Sequence, residues 1–182
     1  DAVIMQEQVN RQDELACFAG SVRAGMNIRK AGEDIRQGDK VLARGLRLRA
    51  QELGLAASIG LPRLAVYRKV RVGVFFTGDE LTEPGQPLAP GKIYNSNLFS
   101  ATGLLQALGC EIIDLGVVED NLDATKEALG KAAAQADLVL ASGGVSVGEE
   151  DHVKPAVEAL GELNMWKLAI RPGKPLAFGH IG

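Results

Sequence analysis

The spacing of apolar positions along this 182-residue chain changes character near residue 70. Before that point apolar residues come in short, scattered clusters. After it, consecutive apolar runs alternate with stretches that repeat every three or four positions. In the first part, residues 2–5 and 15–19 flank a polar stretch, 10–13, which predicts a β-hairpin or part of a small β domain over residues 1–28. Residues 29–69 combine a charged, glycine-rich loop carrying Glu33 and Asp34 with a linking helix. Leu46, Leu48, Leu53, Leu55, Ala56 and Ile59 mark that helix at about three turns, closed by Gly60 and Pro62.

Residues 70–182 read as one α/β domain. The runs at 72–76, 111–118 and 138–141 have the length and composition of buried parallel strands. Leu98, Ala101, Leu104, Leu105 and Leu108 form a helical stripe, entered past Asn95, Ser96 and Asn97 and closed by Gly109. A second stripe runs through Leu122, Leu129, Ala132, Ala133 and Ala136. Val153, Val157 and Leu160 form a third, and Pro155, which lacks an N–H, places its start near Val153. Residues 165–170 and 176–178 read as two further strands. Strand–helix alternation with right-handed crossovers predicts an open, mostly parallel sheet with helices on both faces.

Composition narrows the partner. A net charge of −3 and 4% aromatic residues give neither the basic footprint nor the stacking surface of a nucleic-acid binder. No apolar run approaches the roughly 18 residues that a membrane-spanning helix needs. Cys17 and Cys110 lie far apart, away from any histidine cluster, and read as free thiols in a reducing, cytoplasmic setting. The chain opens in an apolar segment without an initiator methionine and stops within another, so it reads as a piece of a longer protein. The expected partner is a small molecule.

Candidate chemistry gathers where strands end, since ligands of open α/β sheets bind outside the carboxyl ends of the strands. The first strand runs into Thr77, Gly78, Asp79 and Glu80. The second runs into Glu119, Asp120 and Asn121. The third breaks at Ser142, Gly143 and Gly144, passes Ser146, and reaches Glu149, Glu150 and Asp151 at the mouth of a helix. A glycine loop ahead of a helix N-terminus makes an anion site from free amides and the helix dipole. Acids there suit a divalent cation bridging carboxylate and phosphate. An ordinary strand–helix turn, with acids favoured by the helix dipole, accounts for the same residues, and Asp120 alone reads equally well as a helix cap. Near the C-terminus, alternation puts Lys167 and Arg171 on one face of a strand beside Ala169, with Lys174 in the turn beyond. They form either a cationic wall for an oxyanion or the solvated face of an edge strand.

Five motifs stand in order along the chain: Thr77 to Leu81, the Pro84-Gly85 turn, Ile93 to Asn97, Ser142 to Glu149 with Asp151, and Arg171 to Pro175. In this order and spacing the chain resembles the molybdopterin molybdenumtransferases, or molybdenum insertases, of the MoeA type and the E domain of gephyrin, over essentially its whole length. The resemblance implies the molybdopterin-binding fold and insertion of molybdenum from molybdate into adenylylated molybdopterin, with Mg²⁺-dependent release of AMP. It implies Asp34, Glu80, Asp120 and Asp151 as functional acids, with Asp151, Glu80 and Asp120 holding the metal. Thr77, Gly78, Asp79, Ser142, Gly143, Gly144 and Ser146 would bind the substrate, and Lys167, Arg171 and Lys174 would face its oxyanion. A cytoplasmic homodimer that exchanges product with other molybdenum cofactor enzymes is implied as well. Because family members continue beyond this stretch, the chain is expected to bind substrate yet turn it over poorly.

Two alternatives share the fold. A molybdopterin adenylyltransferase would make the adenylate rather than consume it, but that sister family has Gly-Gly-Thr-Gly where this chain has Gly143, Gly144, Val145 and Ser146. A non-catalytic scaffold or binding module is the other, and the retained acids argue against it.

Overall fold

The densest part of the molecule is built on one strand. In a computed structural model, which describes residues 1–143, 152–166, 168–170 and 176–182, β3 (Arg71–Thr77) is buried along nearly its whole length. Two short strands precede it, β1 (Val9–Gln12) and β2 (Leu15–Phe18), which belong to a separate unit. The chain divides into two units, Asp1–Val66 and Tyr67–Gly182.

In the first unit a 3₁₀ turn (Gln6–Gln8) leads into the antiparallel pair β1–β2, in register from Val9 opposite Phe18 to Gln12 opposite Leu15. The polar stretch expected as a turn is therefore mostly strand. The turn itself is Asp13 and Glu14, with Asp13 at φ 55°, a conformation aspartate tolerates better than most residues. Apolar residues 2–5 stay outside the ladder and are tied instead through the Val3 amide to the Met26 carbonyl, 3.0 Å. Both strands are largely exposed, so apolar patterning had little to act on there.

The linking helix is also shorter than its leucine spacing suggests. Helix α1 (Ala50–Ser58) starts where Glu52 accepts the Arg49 amide (2.8 Å) and the Arg49 guanidinium (2.6 Å), fixing Arg49 in an extended conformation. Leu46 and Leu48 precede that cap. The guanidinium, then the backbone amide, pull the Glu52 carboxyl down to about 2.

In the second unit β3 is flanked on both sides by parallel strands, β6 (Glu111–Val118) and β7 (Leu138–Ser142), in the order β6-β3-β7. Between β3 and β6 lie β4 (Leu81–Thr82), β5 (Ile93–Tyr94) and α2 (Ser96–Ala107). Helix α3 (Leu122–Gln135) joins β6 to β7, and α4 (Val153–Leu160) follows. Side chains alternate across β3, and so do its partners. Val72, Val74 and Phe76 pack with Leu98, Ala101 and Leu105 of α2. Phe75, on the other face, packs with Ala128 and Leu129 of α3 and with Val153, Ala156 and Val157 of α4. Gly73 shares that face, and a methyl there would press within 3.2 Å of the Ala132 methyl, so glycine lets α3 lie close. One extra residue in β6 between the partners of Val74 and Phe76 forms a bulge. Gly116 takes a positive φ of 73° there, and its amide donates to Asp114 Oδ1 at 2.8 Å.

The last two strands differ from expectation. They are β8 (Gly161–Trp166) and β9 (Ala177–Ile181), an antiparallel pair not joined to the parallel sheet among the described residues. Glycines at 161 and 179 face the partner backbone so closely that a Cβ would collide with the His180 and Glu162 carbonyls. This close approach lets pairing begin four residues before the expected start. Residues 168–170, expected as strand, lie outside any strand.

At the amino-terminal end of the sheet Asp137 clasps the chain just ahead of β3. Its carboxylate takes both terminal nitrogens of Arg68 and, at 2.9 Å, the Arg71 amide. Arg68 and then the amide hold the Asp137 carboxyl well below the usual carboxylate range.

Candidate ligand site at the carboxyl ends of the strands

The helices that follow the three strand ends lie on two different faces of the sheet. The loop after β3 turns toward α2 on one face. The chain after β6 goes to α3 on the other, and β7 precedes α4 on that second face. Neighbouring strand ends that part in this way open a crevice between them. Gly143, at φ 113°, lies so close to Thr77 that a Cβ would collide with its carbonyl and hydroxyl oxygens. The end of β7 thus closes over the end of β3, and only glycine permits it.

Polar atoms are left unsatisfied along this edge. Thr77 is 4% exposed, and its Oγ1 is buried with no hydrogen-bond partner among the described residues. Asp120 Oδ1 is in the same condition. Asp120 is not a helix cap: Asn121 takes that role, its side chain accepting the Ala124 amide at 2.8 Å. A buried polar group without a partner costs about 1–3 kcal/mol, so its retention at a strand end points to a missing ligand.

The other predicted residues fall into three sets. Gly78 is buried with φ 146°, and a methyl there would come within 2.6 Å of Glu80 Oε2, so the Glu80 carboxylate folds back over this glycine. Asp79 and Glu80 are exposed. The Asp79 carbonyl receives the Lys92 ammonium, and the Glu80 carbonyl receives the Ile93 amide at 2.8 Å. Ser142 ends β7 opposite Phe76. Asp34 belongs to the first unit, where it pairs with Arg29 at 3.1 Å in an exposed loop. Gly144, Ser146, Asp151, Lys167, Arg171 and Lys174 lie outside the described residues. Among the described residues no three His, Cys, Asp or Glu side chains group closely enough to hold a metal ion. Thr77, Gly78, Asp79, Glu80, Asp120, Ser142 and Gly143 do share one edge of the sheet.

Sequence patterning missed Asn95. It is the cap of α2, 1% exposed, and its Nδ2 is another buried donor without a partner among the described residues. Its place ahead of a helical stripe was visible, but capping alone seemed to account for it.

Residues 73–182 match the family model described as "Probable molybdopterin binding domain", and residues 1–60 match that of the MoeA N-terminal region, domains I and II. The chain belongs to the molybdopterin-binding-domain family. It is 49% identical, over all its length, to the molybdopterin molybdenumtransferase of Haemophilus influenzae, of which it covers 45%. A second molybdopterin molybdenumtransferase, from Nostoc, is 37% identical over 97% of the chain, which covers 41% of it. The crystal structure of a molybdopterin biosynthesis MoeA protein from Pyrococcus horikoshii superposes with a TM-score of 0.77 at 33% identity, over 100% of this chain and 45% of that one. The chain therefore spans a little under half the length of these relatives. Among the described residues no helix is long and apolar enough to cross a membrane.

Proposed function

We propose that this chain supplies the pterin-binding part of a molybdopterin molybdenumtransferase, which inserts molybdenum from molybdate into adenylylated molybdopterin and releases AMP. The observation that carries the proposal is the pair of oxygens, Thr77 Oγ1 and Asp120 Oδ1, buried at the carboxyl edge of the sheet without a partner among the described residues. It stands in a chain 49% identical to a protein of that name.

On this reading Thr77, Gly78 and Asp79 bind the substrate, and Ser142, Gly143, Gly144 and Ser146 cradle its pterin phosphate. Lys167, Arg171 and Lys174 neutralise the oxyanion, and the family resemblance names Asp34 as a further functional acid. The inner oxygen of Asp120 is buried and has no donor among the described residues, a condition that suits a carboxylate to a cation. Asp120, Glu80 and Asp151 would hold Mg²⁺, which when bound draws charge from the phosphoanhydride. The chain's own part is to orient the adenylate across the strand ends and to exclude water beneath Gly143. A cytoplasmic homodimer, and exchange of product with other molybdenum cofactor enzymes, belong to the same proposal and rest on the family resemblance.

Calorimetric titration with adenylylated molybdopterin, with and without Mg²⁺, tests this on the parent chain and on Asp120→Asn and Asp151→Asn. Metal-dependent binding that weakens in both variants is expected. Binding that ignores the metal and both substitutions would leave a pterin-binding fold whose acids serve another purpose. Absence of any pterin binding would favour a scaffold.

A further inference from the structure

Asn95 joins two elements that the pterin reading does not connect. The loop after β3 passes into β4, which pairs in parallel with β5 through Leu81 opposite Ile93 and Thr82 opposite Tyr94. The Asn95 amide donates to the Thr82 carbonyl at 2.9 Å, and Lys92 holds the Asp79 carbonyl. The start of α2 is thus laced to the loop that carries Asp79 and Glu80.

At that start the Asn95 side chain does half of what it could do. Its Oδ1 accepts the Leu98 amide at 3.3 Å, which fixes the orientation of the carboxamide, since a flip would set two donors against each other. The same group therefore carries Nδ2 at the helix mouth. There it is buried and has no partner among the described residues. The amides of Ser96 and Asn97, first and second in the 12-residue helix, likewise have no acceptor among the described residues, and both residues are exposed. Serine, aspartate or asparagine would cap this helix equally well. Ionised aspartate has no donor and serine has a single short hydroxyl, whereas asparagine adds an NH₂ beyond the oxygen that caps, and a donor that is buried and idle destabilises the free protein.

We propose that the N-terminus of α2 is a second oxyanion subsite, distinct from the glycine loop after β7. It takes a phosphate-class anion on the Asn95 Nδ2 and the Ser96 and Asn97 amides. Helix amides and the positive dipole end supply the attraction, and the exposed Lys92 ammonium stands three residues upstream. Because Asp79 and Glu80 neighbour the same loop, a monoanionic or metal-bridged phosphate is favoured over a bare, highly charged one. The subsite does not depend on the pterin reading.

The test uses inorganic phosphate as the probe, followed through backbone amide shifts of the 182-residue chain, with Asn95→Ser and Asn95→Asp beside the parent. Both variants keep an acceptor for the Leu98 amide, so both should fold with unchanged or slightly higher Tm. The expected result is saturable shifts at Ser96 and Asn97 in the parent, with affinity lower by about tenfold or more in Asn95→Asp, as loss of a charge-assisted hydrogen bond implies, and a smaller loss in Asn95→Ser, which keeps one hydroxyl donor. Titrations in Asn95→Asp that match the parent, or parent shifts that never centre on Ser96 and Asn97, would overturn the proposal. A chain that binds phosphate here yet fails to bind pterin would retire the insertase reading and leave this subsite standing.

Discussion

The two ends of the parallel sheet are built on opposite terms. At the amino-terminal end Asp137 engages Arg68 through both guanidinium nitrogens and receives the Arg71 amide, so its carboxylate is well provided with donors. At the carboxyl end, a few residues away along the same strands, Thr77 Oγ1 and Asp120 Oδ1 are buried without partners among the described residues, as is Asn95 Nδ2 at the start of α2. The cores that separate the ends are shared, so packing does not explain the contrast. Arg71 Nε at the amino-terminal end is also buried without a partner among the described residues, so the contrast lies in the carboxylates: that of Asp137 is supplied with donors by the protein, and Asp120 Oδ1 is not. On the proposed reading the first serves stability and the second a ligand.

Removing the shared support should have the largest effect. Phe75 is wholly buried between β3 and both α3 and α4. Phe75→Ala is expected to cost about 3–5 kcal/mol in denaturant melts, with both ends lost together. Next comes Gly143→Ala. It forces a methyl against Thr77 at a positive φ, which should destabilise by about 1–3 kcal/mol and displace the end of β7, abolishing pterin binding in calorimetry.

Asp137→Asn should separate the ends by pH. The folded-state carboxyl is depressed, chiefly by the Arg68 hydrogen bonds. Its stabilisation is therefore fully present above the unfolded value near 4 and lost as pH falls toward the folded one. The parent should exceed the variant in urea midpoint at pH 7, and the gap should close on acidification below about pH 4. Ligand affinity at neutral pH should not change, because this group lies at the far end of the strands. Glu52 in the first unit follows the same sign. Its contribution is present above its ordinary value of 4.5 and fades toward about 2.

How far the sequence disclosed this arrangement depended on burial. Strands β3, β6 and β7 are runs of apolar residues that few other structures could use, and they fell where expected. The first hairpin was misplaced because its strands are mostly exposed, so its register follows from Asp13 rather than from an apolar pattern. The β8–β9 pair was misplaced because Gly161 and Gly179 act through close backbone approach, which leaves no periodic trace. The strand-end acids were legible as residues but not as individuals. Asp120 could have been a cap until Asn121 was seen to hold that position, and the Asp34 loop proved to contain its own ion pair with Arg29. Asn95 was hidden because one half of its carboxamide performs an ordinary task.

The smallest expected change in stability is also the most direct test. Thr77→Val replaces a buried, unpartnered hydroxyl with a methyl of similar shape, at a position 4% exposed. If that hydroxyl is kept for a ligand, parallel urea melts and titrations with adenylylated molybdopterin should diverge. Stability should hold within about 1 kcal/mol or rise, while affinity falls. Unchanged affinity, or a stability loss of several kcal/mol, would mean that the Thr77 hydroxyl is not kept for a ligand.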